Sequence, residues 1–227
     1  MGYSRYPKKK RYRRKRRAPV AWYNKKYSTA EIAGKALSTA MKLQKLINVE
    51  YKYLDTLATH SVGTTAFRDS LTTIPQGDGP SSRDGDSIRP QNLNIRFNAK
   101  LNASSNNNIL RLCVIQMTSG QVIGSGGFDE LENPGDPMSH RELDHSGTPF
   151  KFLYDKTFCL DDSKTSTLFL NLNFDLDQMP VKHIVWDEAD TTGTSYKKGQ
   201  IYVFSLTDQT TNLPTTYMRA RLRYTDN

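Results

Sequence analysis

From Val49 onward the apolar residues recur at every second position, and this period of two is what most constrains the fold. Along Gln91–Asn102, Leu93, Ile95, Phe97, Ala99 and Leu101 share one face, while Asn94, Arg96, Asn98 and Lys100 share the other. Thr167–Asp177 gathers Leu168, Leu170, Leu172, Phe174 and Leu176. Thr215–Tyr224 sets Met218, Ala220, Leu222 and Tyr224 against Arg219, Arg221 and Arg223. Successive side chains of a strand point to opposite faces, so each run reads as a half-buried strand. Val49–Asp55, Arg68–Pro75, Ile109–Met117, Phe150–Leu160 and Gln200–Leu206 bring the candidates to eight, and His183–Trp186 is a further short apolar piece. No comparable helical pattern follows residue 47, which predicts an all-β body of two packed sheets. The connections 77–87, 118–149 and 178–199 are too long for a simple meander. They suit a Greek-key arrangement, of which the jelly roll is the eight-stranded version. Their length also makes them candidates for exterior or interface surface. No repeat at propeller or solenoid period interrupts this reading.

The first 26 residues obey a different rule. They hold twelve cations, Arg5, Lys8, Lys9, Lys10, Arg11, Arg13, Arg14, Lys15, Arg16, Arg17, Lys25 and Lys26, and the first acid is Glu31. Within KKKRYRRKRR only Tyr12 is uncharged. Cations packed this densely repel one another and bury nothing, which predicts a disordered arm over 1–27. The whole chain has 32 Lys plus Arg against 23 Asp plus Glu; removing the arm's twelve leaves 20 against 23, so the body is slightly acidic at −3. The basic balance thus belongs to the arm alone. A dense polyanion is the natural counterpart, and nucleic acid fits because each neutralised phosphate releases a condensed counterion. Extended, such an arm reaches at most about 90 Å.

Trp22, Tyr23 and Tyr27 follow the cations. Trp22 and Tyr23 have two readings: aromatic platforms for unpaired bases, at about 1–3 kcal/mol per base, or anchors packed on the body. Over 28–47 the apolar spacing is helical, through Ile32, Ala33, Ala36, Leu37, Ala40, Leu43 and Ile47. Ser28 with Glu31 three residues later forms a capping box. Lys35, Lys42 and Lys45 gather on another side, so the helix is a basic amphipathic connector about 30 Å long. Its apolar stripe is poor in large groups, which favours a protein-facing role over a membrane surface. The body is expected over 48–227.

Several classes of function find no support in the residues. There is no apolar window long enough for a transmembrane helix and no apolar secretory core near the start, so no membrane insertion or export is expected. The arm's charge is too dense for an amphipathic presequence; it reads instead as a nuclear import signal that would engage a host import receptor. Cys113 and Cys159 sit in strand-like runs and read as buried free thiols. His140, Asp144 and His145 lack a further ligand at fixed spacing, so no metal site is expected. Arg83-Asp84-Gly85 and Asp161-Asp162 read as turn chemistry. With no phosphate-cradling glycine loop leading into a helix, and no activated Ser or Cys, neither an enzyme nor a cofactor is expected.

The order of these features carries a resemblance. GYSRYPKKKRYRRKRR is similar to the Arg- and Tyr-rich start of circovirus-like capsid proteins. LTTIPQGDGPSSRDGDSI, YDKTFCL and the closing RLRYTDN resemble, respectively, that family's Gly-rich turn before a long strand, its lysine-aromatic strand and its basic last strand. The resemblance implies an eight-stranded viral-capsid jelly roll that assembles with itself into a small icosahedral (T=1, sixty-copy) shell. It further implies packaging of a circular single-stranded DNA genome by the arm, passage through the host nucleus and an unidentified cell-surface receptor. In that family the sheet carrying Arg96, Lys100, Arg219, Arg221 and Arg223 tends to face inward, where these cations would add phosphate contacts; a solvated or salt-bridged row is the other reading. Satellite-like single-stranded RNA virus coats share the layout of arm, helix and jelly roll. A flexible polycation reads neither sugar nor sequence, so DNA follows from the resemblance alone. A cellular nucleic-acid-binding protein with a basic tail is the remaining alternative, and it fits the −3 body less well.

Overall fold

The computed structural model describes residues 28–46, 50–120, 133, 135–140 and 150–226, with helix side chains described as far as residue 40. Helix α1, Thr29–Leu46, starts where the capping box predicts. The Ser28 amide donates to Glu31 Oε2 at 2.9 Å, and the Glu31 amide donates to Ser28 Oγ at 3.3 Å. These bonds hold the Glu31 carboxyl below its ordinary pKa, with Lys35 adding a smaller charge contribution. The described side chains of α1 are all exposed.

Among its described residues the unit Val49–Asn227 holds ten strands. In chain order they are β1 Tyr51–Ser61, β2 Phe67–Ser70, β3 Ser87–Lys100, β4 Asn107–Met117, β5 Phe150–Asp161, β6 Thr167–Asp175, β7 Ile184–Trp186, β8 Tyr196–Lys198, β9 Ile201–Thr207 and β10 Thr215–Asp226. One sheet runs β1-β10-β3-β6, with β7 and β8 continuing from the other end of the long β3; the second runs β2-β9-β4-β5. All ladders within the sheets are antiparallel. The chain crosses repeatedly between the sheets, and its last long strand lies between its first and third. That connectivity makes the fold a jelly roll.

The core lies between the sheets. Leu93, Ile95, Phe97, Met218, Leu222 and Tyr224 meet Leu110, Leu112, Val114, Ile201 and Val203 there. The other face of the second sheet is also buried, around Cys113, Ile115, Met117, Tyr202, Phe204 and Leu206. Strands β4 and β9 are therefore covered on both faces, whereas β3 and β10 alternate.

Several boundaries differ from the sequence expectation for physical reasons. β1 continues to Ser61 because β10 pairs with it along all eleven residues. β2 stops at Ser70, since Leu71, Thr72 and Ile74 leave the ladder while staying buried. The connection 178–199 is not simply exterior: it contributes β7, β8 and the fully buried Trp186. Cys113 is buried, but Cys159 is an exposed free thiol on the outermost strand of its sheet, which corrects the expectation of two buried thiols.

The 77–87 segment also holds more than turn chemistry. Arg83 is fully buried, with its guanidinium 4.7 Å from the centre of the Trp186 ring. It donates to the carbonyls of Ile74 (3.3 Å), Gly85 (2.5 Å) and Asp190. One side chain thus ties the 77–87 turn to the 187–195 loop. That loop is braced by Asp190, which accepts from the amides of Thr192, Gly193 and Ser195. Gly193 adopts φ +79°, and a Cβ there would come within 2.2 Å of the Ile74 carbonyl oxygen, so only glycine fits.

Candidate nucleic-acid interface

The sequence-predicted site residues divide into three groups. Arg5, Lys8, Lys9, Lys10, Arg11, Tyr12, Arg13, Arg14, Lys15, Arg16, Arg17, Trp22, Tyr23, Lys25 and Lys26 lie outside the described residues. Lys35, Lys42 and Lys45 are on α1, and of these only the Lys35 side chain is described, exposed. Arg96, Lys100, Arg219, Arg221 and Arg223 come together on the outward face of the β1-β10-β3-β6 sheet, because β10 pairs directly with β3.

The register sets this face out in rows across four strands. Thr59, Tyr217, Asn98 and Phe169 form one row; Leu57, Arg219, Arg96 and Asn171 the next. Asp55, Arg221, Asn94 and Asn173 follow, then Tyr53, Arg223, Asn92 and Asp175. Lys100 stands one row beyond Asn98, opposite Thr215. Five cations here meet two carboxylates, Asp55 and Asp175. A shallow groove of about 320 Å³ crosses the face, lined by Leu57, Asn94, Arg96 and Arg219 among others.

The cations are not equivalent. Arg221 grips Asp55 with two bonds of 2.6 Å and lies 4.9 Å from the Tyr53 ring centre. The Arg221 hydrogen bonds hold the Asp55 carboxyl below its ordinary range. Arg223 stacks over Tyr51 at 5.0 Å. Arg96 and Arg219 face one another across β3 and β10, and among the described residues neither has a carboxylate partner. Like charges placed directly opposite destabilise a sheet. Arg96 and Arg219 therefore mark where this face would gain most from an anion.

An asparagine ladder fills the space beside them. Asn94 Nδ2 donates to Asn171 Oδ1 at 2.8 Å, and Asn92 Nδ2 donates to Asn173 Oδ1 at 3.0 Å and Asp175 Oδ1 at 2.8 Å. Sequence reasoning found the cations but missed the apolar members of the face: Leu57, Phe169 and Tyr217 are 69%, 65% and 49% exposed. The signal was present, since Phe169 and Tyr217 fall on the polar phase of their strands. Among the described residues no group of three or more His, Cys, Asp or Glu could hold a metal ion, and no helix is long and apolar enough to cross a membrane.

No protein-family model and no curated protein matches this chain. Among solved structures it is similar to that of Desmodium yellow mottle tymovirus, at 12% identity over 78% of this chain and 87% of that one, with a TM-score of 0.39. It is also similar to broad bean stain virus (10% identity, 75% and 84% covered, TM-score 0.34) and to the BFDV capsid protein, a 60-mer (10% identity, 78% and 92% covered, TM-score 0.33). These likenesses are distant; the jelly-roll assignment rests on the strand order itself.

Proposed function

We propose that this chain is a structural, non-enzymatic capsid protein whose jelly-roll body assembles with copies of itself into a closed shell, and whose basic arm, residues 1–27, packages a single-stranded nucleic-acid genome. The observation that carries this reading is the separation of charge: twelve cations precede the first acid, and the remaining body has a net charge of −3. A near-neutral body can pack against itself without strong repulsion, while the arm supplies counter-charge for phosphates. Residues 28–47 link the two. The resemblance to circovirus-like capsid proteins favours a sixty-copy shell, single-stranded DNA, residence in the virion with passage through the host nucleus, and an unidentified cell-surface receptor. Arg96, Lys100, Arg219 and Arg223 add a second set of phosphate contacts.

Electron microscopy of the expressed full-length chain is expected to show uniform particles holding nuclease-protected nucleic acid. A chain that stays monomeric at every salt and pH, and carries no DNA or RNA, overturns the reading. Deleting residues 1–26 is expected to leave particles that contain far less nucleic acid; unchanged content refutes the role of the arm.

A further inference from the structure

We infer that the outward face of the β1-β10-β3-β6 sheet holds unpaired bases, with Tyr217 and Phe169 as stacking rings and the Asn98 amide between them. The inference rests on the reading of the chain as a nucleic-acid-packaging protein and extends it from phosphate contact to base contact.

Tyr217, Asn98 and Phe169 occupy one row on three adjacent strands, β10, β3 and β6. Neighbouring strands lie about 4.8 Å apart, so the two rings rise from backbones roughly 10 Å apart with Asn98 as the floor between them. Phe169 is 65% exposed and Tyr217 about half-exposed at 49%. Aromatic side chains bury about 150–250 Å² each when covered, so two rings on one row that each keep about half or more of their surface exposed form a site suited to a flat apolar partner. Asn92 and Asn94 are engaged with Asn173 and Asn171, but the Asn98 amide has no hydrogen-bond partner among the described residues. It offers both donors and an acceptor to a base edge.

Charge selects the occupant. Arg96 and Arg219 stand one row to one side and Lys100 one row to the other. Rows facing the same way recur about every 6.8 Å along a strand, so cations flank the ring row at distances a nucleotide's phosphates can reach. The chain's own leading segment is a poor occupant: the arm carries twelve cations, and α1 carries Lys35, Lys42 and Lys45 against Glu31. An anionic partner with flat apolar groups is a single strand of nucleic acid. Duplex bases are paired and stacked on one another, and their flat faces are not available to these rings.

The test compares affinities of the full-length chain for an oligothymidylate and for a duplex carrying the same number of phosphates, across a salt series. High salt weakens the arm's phosphate contacts for both probes. The Tyr217→Ala/Phe169→Ala double variant is expected to lose at least about tenfold in oligothymidylate affinity at high salt and to keep its duplex affinity. Tyr217→Phe, which preserves the ring, is expected to retain both. Ultraviolet cross-linking of nucleic acid in wild-type particles is expected to label the peptides holding Tyr217 and Phe169. Equal loss for both probes, an unchanged oligothymidylate affinity, or cross-links confined to residues 1–26 overturns the inference while leaving the packaging role standing. Failure of shell assembly in the double variant, with single-strand affinity intact, assigns the face to contact between copies and also overturns it. A wild-type chain that binds neither probe at low salt sinks the packaging reading itself.

Discussion

Arg111 and Arg219 both sit on the outward face of a sheet, yet their surroundings are opposite. Arg111, on β4, is buried: it makes two 2.8 Å bonds to Asp155 and donates to the Ser139 carbonyl at 2.6 Å, holding residues 137–139 against the second sheet. Arg219, on β10, is exposed and faces Arg96 with no carboxylate partner among the described residues. Arg83 and Lys52 belong with Arg111. Lys52 is almost fully buried and reaches Asp84 and Asp226, each at 2.7 Å. The body thus keeps two sets of cations. One set is enclosed with its partners and holds loops and termini in place. The other lines an open face, where Arg221 is paired with Asp55 while Arg96 and Arg219 have no carboxylate partner among the described residues. Proteins seldom bury a lone charge, because the desolvation cost outweighs what a single partner returns. The enclosed cations are therefore structural, and the open ones are available to a ligand.

Substitutions can break this division. The largest effects are expected at the enclosed arginines. Arg111→Ala takes the guanidinium away from the buried Asp155 carboxylate, and Arg83→Ala removes the donor to the buried carbonyls of Ile74 and Asp190. Each is expected to cost about 3–5 kcal/mol in chemical denaturation. A loss below 1 kcal/mol shows that these residues are not the pillars described.

Lys52→Met is expected next, at about 3 kcal/mol, the low end for a broken buried pair, because Asp84 is 56% exposed. This cluster also gives stability a pH dependence. For Lys52, burial works against the charged form, but bonds to Asp226 and Asp84 outweigh it and raise the pKa. Its contribution is therefore complete below about pH 10 and is lost as pH climbs through the raised folded value. The Asp84 carboxyl is held below its ordinary value, chiefly by the hydrogen bond from Lys52, so its contribution is complete above about pH 4 and fades on acidification. Thermal melts across pH are expected to fall at both extremes in the wild type, with both limbs flattened in Lys52→Met.

The open face is expected to respond in the other direction. Arg96→Ala/Arg219→Ala removes a like-charge pair, so stability is expected to stay within about 0.5 kcal/mol or rise slightly. The salt dependence of nucleic-acid binding is expected to lose about one unit of slope per arginine. A large stability loss with an unchanged slope would place Arg219 in the same class as Arg111. Arg221→Ala is expected to leave the denaturation midpoint close to wild type, since its pair with Asp55 is half-exposed.

How much of this was legible in advance depends on which residues carry it. The alternation along 91–102, 167–177 and 215–224 named the inward and outward faces of β3, β6 and β10, and the five cations were found on the outward side. Ser28 and Glu31 marked the helix start. Arg83 read as a turn residue because its partners, at positions 74, 85 and 190, are mostly remote in sequence. The exposure of Cys159 was equally hidden, since period alone does not reveal which strand lies outermost in a sheet.

By itself the sequence determined where charge is concentrated, where strands run and which side of each strand is apolar, because those properties depend on residues that are near neighbours along the chain. Only the tertiary structure decided that β10 lies between β1 and β3, that Arg96 meets Arg219, that Tyr217, Asn98 and Phe169 line up, and that Arg83, Arg111 and Lys52 are enclosed. The physical reason is one of range: strand order and the burial of charge are settled by partners that are distant in sequence and meet only when the two sheets close on a common core.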